Sequence, residues 1–443
     1  MYFVYSVLSL VLFVVVSPYF LYQAIRYKKY IGNLRERLGY LPISFNVDGD
    51  ASIWIHAVSV GEALTARALA ADLKSRYPRL KLYLSTTTMA GQQVARSSLR
   101  HLVDGVFYFP FDWTFIVRRT LNLVKPRLFI MMETEIWPNL LHECRKRGIR
   151  TAMINGRIST RSYPRYRLVR PLFRRVLADV DRFCMQSEES AHRLIALGAD
   201  PARVTVTGSL KFDSLEVPPP TAHGKPRERV LRFFRISAHR TVIVAGSTMR
   251  GEEAAVLRAF SKIKATQSHA VCILAPRAPE RFAEAERIAR EAGFVTARRS
   301  ELPIDAEPRA DVIVLDSIGE LAQLYQLATA VFVGGSLADH GGHNILEPAI
   351  FGKPIVFGPH MQNFREIAET FVASGAAIQV GSDRELDDAL LGLVRDPVHR
   401  AGLGAAARAL VEANRGAKGK TLAVITDLLP PAGSNVRPFR LVQ

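Results

Sequence analysis

Glu62 stands where an apolar run ends and a helical pattern begins. The run 53–58 is followed by Ser59-Val60-Gly61-Glu62, then by Leu64, Ala68, Leu69 and Leu73 at helical spacing. A carboxylate at that junction meets unpaired N–H groups and the positive end of a helix dipole. Both keep it ionised and able to take a proton from a hydroxyl. The same position also suits a carboxylate that only interacts with the helix end. Glu133 and Glu135 follow a wholly apolar run, 128–132, before Trp137-Pro138-Asn139 opens another helix. Residues two apart at a strand end point roughly the same way. One would face a site and the other cap the helix, or both would be caps or surface charges. Lys211, in Gly208-Ser209-Leu210-Lys211-Phe212-Asp213, puts a point charge at the end of the first half of the chain, suited to a phosphate or a carboxylate.

The second half offers turns for an anion. An apolar strand pattern over 331–333 meets Gly334-Gly335-Ser336. Then come Gly341-Gly342-His343-Asn344-Ile345-Leu346-Glu347-Pro348 and a new strand start at Pro354. That order presents backbone N–H groups and one fixed carboxylate, Glu347, at the carboxyl ends of parallel strands, where open α/β sheets hold nucleotides. Gly246-Ser247-Thr248 ahead of Glu252 and Glu253 suits a phosphate or carboxylate. Arg277 and Arg281 follow the strand 270–275, with Arg277 the one to turn inward. Asp316-Ser317-Ile318-Gly319-Glu320-Leu321 ends a further strand. His340 and His343 flank Gly341-Gly342 without further ligands nearby, so they read as loop histidines near a nucleotide, and no metal is expected.

The segments that must carry these residues alternate strand and helix, which means parallel sheets covered on both faces. The stretch Glu216-Val217-Pro218-Pro219-Pro220 and the charged residues after it break the alternation as a linker would. The expected class is α/β: two doubly wound Rossmann-like domains with the active site in the cleft between them. The expected divisions are an anchor over 1–29, a first domain over 30–215, a linker over 216–235, a second domain over 236–429 and a tail over 430–443.

Composition narrows the partner. The chain has 443 residues, 48% hydrophobic and 23% charged, with a formal net charge of +18, so a folded protein with an anionic partner is expected. Three scattered cysteines argue against a disulfide framework. Tyr2 to Ile25 holds no charged residue and is long enough, at ~1.5 Å per residue, to cross ~30 Å of hydrocarbon. Arg26, Lys28, Lys29, Arg35 and Arg37 follow it, which predicts a single-pass inner-membrane anchor with a cytoplasmic body. Arg157, Arg161, Arg165, Arg167, Arg170, Arg174 and Arg175 interleave with Tyr163, Tyr166 and Phe173. Such a cluster fits a phosphorylated lipid or the anionic lipid face of the membrane. No nucleic-acid-binding motif accompanies it, so no nucleic acid is expected. A solvated surface is the remaining alternative.

No GxxxxGK[ST] and no GxGxxG after a first strand is present, which removes the ATPase and dehydrogenase readings. The apolar N-terminus, Ser-Val-Gly-Glu at 59–62, Met-Glu-Thr-Glu-Ile-Trp-Pro-Asn at 132–139, Gly-Ser-Leu-Lys-Phe-Asp at 208–213, Ala-Pro-Arg at 275–277 and Gly-Gly-His-Asn-Ile-Leu-Glu-Pro at 341–348 together resemble the 3-deoxy-D-manno-octulosonic acid (Kdo) transferases of Gram-negative bacteria. The resemblance implies a GT-B glycosyltransferase fold, CMP-Kdo as donor, the lipid A precursor lipid IVA as acceptor, and release of CMP in lipopolysaccharide synthesis without a cofactor. It implies that Glu62 is the general base and that Glu133 and Lys211 assist the transition state. It implies that Pro276, Arg277, Ile318, Gly319, Glu320, Asn344, Ile345, Leu346 and Glu347 hold CMP. Arg157, Arg161 and Arg165 are then the acceptor contacts. The rival readings are another GT-B lipid-linked sugar transferase using a UDP-sugar, and a non-enzymatic membrane-anchored binder of anionic lipid or nucleic acid.

Overall fold

The structure, a computed structural model, describes residues 2–27, 34–42, 45–160, 162–215, 240–302 and 309–429. The expected linker over 216–235, the expected tail over 430–443 and Arg161 lie outside the described residues. Two compact units divide the chain: Met1–Ser214 with Arg415–Gln443, and Leu215–Asn414.

In the first unit α1 (Tyr2–Tyr27) and α2 (Leu34–Arg37) precede an alternating series. The series runs β1 (Ser52–His56), α3 (Val60–Arg76), β2 (Lys81–Thr86), α4 (Met89–Ser98), β3 (Gly105–Tyr108), α5 (Thr114–Val124) and β4 (Pro126–Met132). It continues with α6 (Pro138–Lys146), β5 (Arg150–Gly156), α7 (Tyr163–Leu168), α8 (Arg170–Leu177), β6 (Arg182–Met185), α9 (Glu188–Leu197) and β7 (Val204–Val206). The strands form one parallel sheet of order β3-β2-β1-β4-β5-β6-β7. Alternate residues feed opposite faces. Trp54, Phe129, Met131 and Phe183 enter one apolar cluster, while Ile53, Ile55, Leu128 and Ile130 enter the other. Both faces are buried, which is why these runs carry no polar alternation.

The second unit repeats the plan: β8 (Val242–Thr248), α10 (Glu252–Thr266), β9 (Val271–Pro276), α11 (Phe282–Glu291), β10 (Thr296–Arg298), β11 (Val312–Val314), α12 (Leu321–Leu324) and β12 (Ala330–Val333). Then follow α13 (Leu346–Ala349), β13 (Ile355–Phe357), α14 (Arg365–Ala373), β14 (Ile378–Gln379), α15 (Asp383–Arg395) and α16 (Pro397–Ala413). Its seven strands are ordered β10-β11-β9-β8-β12-β13-β14, again all parallel. Two parallel-sheet α/β domains of this kind resemble the GT-B glycosyltransferases.

Two features differ from the sequence-based expectation. The last helix, α17 (Ala417–Thr426), belongs to the first unit and not the second. Ala417, Leu422 and Ile425 close the cluster that holds Ile53 and Ile55. Asp213 accepts the backbone N–H groups of Gly416 (2.9 Å) and Lys418 (2.7 Å), so the helix start is bonded to the turn that carries Lys211. The second difference concerns the spanning anchor expected over 1–29, which finds no support. Among the described residues no helix is long and apolar enough to cross a membrane. Helix α1 instead commits one face to the body: Tyr2 donates to Asp179, Ser6 bonds Asn139, and Phe13 lies against Phe111 and Trp113.

Candidate functional site

Glu62 sits in the first turn of α3. Ser59 is the N-cap, its hydroxyl accepting from the Glu62 backbone N–H at 3.4 Å. The Glu62 carboxylate reaches back, accepting from the Val58 N–H (2.9 Å) and the Ser59 hydroxyl (2.8 Å). The residue therefore does form the helix-end contacts that the alternative reading foresaw. Those bonds lower its pKa, but burial and then the Glu133 charge raise it further, and the carboxyl is held up at about 7. A carboxylate with that value is half-ionised near neutrality, the condition in which a general base works best.

Strand order brings the partners together. β1 lies beside β4 and β4 beside β5, with Met132 level with Ile154. One residue beyond that pair the backbone of both segments turns left-handed, at Glu133 (φ 54) just after β4 and at Asn155 (φ 53) in the irregular end of β5. A glutamate in that region is strained, and Asn is one of the few residues that enter it readily. The Glu133 N–H still donates to the Ile154 carbonyl (2.9 Å), so the turn is fixed by the sheet. Asn155, buried, accepts the Leu210 N–H on its side-chain oxygen at 2.9 Å. That bond seats the 208–213 turn, and Lys211 Nζ comes to 3.9 Å from Glu133 Oε1.

Glu135 turns to a different partner. Its Oε2 accepts the Trp137 indole N–H (3.0 Å) and lies 3.7 Å from Nε2 of the fully buried His56. The His56 ring stacks on Phe109 at 3.8 Å and its Nδ1 is 3.0 Å from the Ser85 hydroxyl, while Nε2 has no hydrogen-bond partner. Neither glutamate is a simple helix cap: α6 starts on Trp137 without a side-chain cap, and its first N–H groups are taken by Asp112. Thr134 donates to the Arg157 carbonyl, which ties Arg157 to this loop. Arg165 is exposed on α7. Sequence reasoning missed His56 and Asn155. Asn155-Gly156 at the end of an apolar strand was the available signal for the second.

In the second unit the N–H groups over 335–338 are already occupied. Glu252, 1% exposed, accepts from Gly335, Ser336, Leu337 and Ala338, and from Met249, at 2.7 to 3.2 Å. The glycine turn expected to receive an external anion holds an internal one. Glu253 is bound by Thr248 and by Arg281, so Arg281 is committed to structure. Arg277 stays exposed at the end of β9, with its charge felt by both Glu347 and His343. Burial raises the Glu347 carboxyl, opposed by the Asn344 amide, which donates to it at 3.1 Å, and by Arg277. Burial and Arg277 push the His343 imidazole down to about 4, so it is neutral at physiological pH. Ile318 is 85% exposed, Gly319 has φ 93, and Glu320 is paired with Arg299 at 3.3 Å. Ile345 and Leu346 have fully buried side chains, so any ligand contact there is through their main chain. Pro276 ends β9 beside Thr248.

Comparisons with known proteins identify the family. Residues 32–214 match the family model described as 3-Deoxy-D-manno-octulosonic-acid transferase (kdotransferase), and 255–410 match glycosyl transferases group 1. A 3-deoxy-D-manno-octulosonic acid transferase of Haemophilus influenzae is 33% identical over 92% of this chain and 93% of its own length. One from Bordetella pertussis is 35% identical over 86% and 88%. Among solved structures, UDP-GlcNAc 2-epimerase from Neisseria meningitidis superposes with a TM-score of 0.57 at 13% identity, covering 85% of this chain and all of that one, a likeness of fold alone. The chain belongs to the 3-deoxy-D-manno-octulosonic acid transferase family and is a glycosyltransferase.

Proposed function

We propose that the protein transfers Kdo from CMP-Kdo to a hydroxyl of lipid IVA, a phosphorylated and acylated disaccharide, with Glu62 as general base. The observation that carries this reading is a half-buried carboxylate held up at a pKa of about 7 beside a glutamate–lysine pair. Glu62 takes the acceptor hydroxyl proton. The oxygen attacks the anomeric carbon, and the bond to the CMP phosphate breaks with its electron pair leaving on CMP. Lys211 and Glu133 stabilise the charge that shifts during the transfer. On the donor side Arg277 balances the phosphate, while Asn344, Glu347, the exposed turn 318–320 and the main chain at Pro276, Ile345 and Leu346 bind CMP. Arg157, Arg161 and Arg165 are the acceptor contacts.

The acceptor cannot leave a bilayer, so the protein works at the anionic cytoplasmic face of the inner membrane. What supports this is the outer face of α1, where Phe3, Leu8, Leu12 and Val15 are 78%, 64%, 64% and 69% exposed, together with the exposed arginines of α7 and α8. On this reading the helix lies on the lipid surface and does not cross it. The test is a transfer assay with lipid IVA and either CMP-Kdo or UDP-sugars, comparing wild type with Glu62→Ala. Transfer from CMP-Kdo alone, abolished by the substitution, is expected. Transfer from a UDP-sugar, or full activity of the variant, overturns the reading.

A further inference from the structure

Helix α1 has two unlike faces, and the docked one is polar. Tyr2, Tyr5, Ser6, Ser9 and Phe13 recur at helical spacing. The Tyr2 ring stacks on His142 at 3.9 Å. The Tyr5 hydroxyl bonds Asp112. Asn139 Nδ2 donates to the Ser6 hydroxyl at 2.9 Å, and the Trp113 indole N–H to the Ser9 hydroxyl at 3.2 Å. Phe13 meets Phe111 and Trp113 edge-on, with centroids 5.3 and 4.9 Å apart. A helix that served only to enter lipid gains nothing from a row of hydroxyls, each of which costs free energy to bury unless it is bonded.

The groups these hydroxyls reach are the ones that begin α6. Asp112, 7% exposed, accepts the Asn139 N–H (3.0 Å) and the Leu140 N–H (2.8 Å). Asn139, 2% exposed, also donates from its amide to the Asp112 carbonyl. Immediately before α6 lies the loop carrying Glu133, Glu135 and Trp137. Trp137 bonds Glu135, and its ring lies 5.0 Å from Phe109, the ring on which His56 stacks. Hydrogen bonds therefore run from Tyr5 and Ser6 to Asp112 and Asn139, and from the start of α6 the chain leads back through Pro138 to Trp137, which holds Glu135.

We propose that the docked face of α1 is a positioning element for the 133–137 loop, with Tyr5 and Ser6 acting through Asp112 and Asn139. The inference rests on reading Glu133 and Glu135 as part of the acceptor-side site. It separates the two faces of one helix: the outer face serves the lipid surface and the inner face serves the geometry of the loop.

The test compares two double variants of the full chain, Tyr5→Phe with Ser6→Ala on the docked face and Leu8→Ser with Leu12→Ser on the outer face. Hydrogen exchange over 133–140 is expected to quicken at least ~10-fold in the docked-face variant and not in the outer-face variant. Exchange in β1, β4 and β5 stays at wild-type rates and reports that the unit is folded. With detergent-dispersed lipid IVA, kcat of the docked-face variant falls ~10-fold with the KM for CMP-Kdo unchanged, within the range that a misplacement of about 1 Å produces. The outer-face variant loses binding to vesicles containing anionic lipid while exchange over 133–140 stays at the wild-type rate. Unchanged exchange over 133–140 overturns the inference, as does quickened exchange with unchanged kcat. Absence of transfer by the wild type sinks the functional reading instead, and leaves the exchange comparison to decide this one.

Discussion

Replacing Glu133 by Gln tests whether Glu62 is made a base by its neighbours. Burial lifts the Glu62 carboxyl most, the Glu133 charge next, and together they carry it from an ordinary 4.5 to about 7 against the bonds from Val58 and Ser59. One pH unit corresponds to about 1.4 kcal/mol, and the Glu133 charge, second to burial among the causes, accounts for roughly that much of the rise. The acidic limb of kcat/KM reports the base of the free enzyme, so wild type should lose activity below about pH 7. In Glu133→Gln that limb moves down by about one unit. Lys211→Met has the opposite effect. The ammonium group lies 3.9 Å from Glu133 and offsets its charge, so without it Glu133 acts on Glu62 in full and the limb moves up. Glu133 and Glu135 are the carboxylates whose charges raise Glu62, with His56 behind the latter. The assay is kcat/KM from about pH 5 to 9 with CMP-Kdo and detergent-dispersed lipid IVA. A limb that stays put in Glu133→Gln, or moves the same way in both variants, refutes the electrostatic argument even if both variants are slow.

Four further outcomes follow from the same geometry. Because the folded pKa of Glu62 lies above the unfolded one, the ionised group destabilises the fold above about pH 7 and costs nothing below about 4.5. Glu62→Gln should therefore raise the melting temperature of the first unit at pH ~8, by ~1–3 kcal/mol in stability, with the gain gone near pH 4.5 in a calorimetric pH series. Glu252→Gln leaves one of two oxygens for five N–H donors and should cost the second unit ~3–5 kcal/mol, read as an early calorimetric transition with loss of CMP binding. Asn155→Ala should be less stable than Asn155→Gly by ~1 kcal/mol because only glycine accepts φ 53 freely, while both lose the Leu210 bond and show similarly lowered kcat. Ending the chain at Asn414 removes Ala417, Leu422 and Ile425 from the cluster around Ile53 and Ile55, and should expose the first unit to limited proteolysis while sparing the second.

Much of the frame was legible because parallel strands are buried on both faces and so appear as short apolar runs, each ending in the residues that matter. Glu62 and Glu133 were picked out that way, since a polar group at the carboxyl end of such a run has few roles, and Lys211 by its place between Gly208 and Phe212. What made them a cluster was not in the runs. β4 inserts beside β1 although two strands separate them along the chain, and that order alone sets Glu133 near Glu62. The left-handed turn at Glu133 is equally hidden, because glutamate has no local preference for it and only the neighbouring strand, through the Ile154 carbonyl, enforces it. Helix α17 was misassigned for a related reason. Its apolar residues fit either sheet by pattern, and the choice is made by Asp213, whose carboxylate takes the helix's first N–H groups.

Glu252 shows the limit most sharply. By sequence it is one more acid in the first turn of a helix, indistinguishable from Glu253 or Glu188. In the fold it receives the N–H groups of a turn more than eighty residues away, which local patterning has no means to encode. A glycine-rich turn after a parallel strand was read as an empty cradle because that is its commonest use. Here its occupant is the protein's own carboxylate, so those N–H groups are already taken. The exposed Arg277 at the end of β9 is a cation that Glu347 and His343 both sense, while His343 stays neutral and Arg281 is taken by Glu253. On the proposed reading, Arg277 at the end of β9 is therefore the second unit's cation for the phosphate of CMP, and the glycine turn keeps its N–H groups for Glu252.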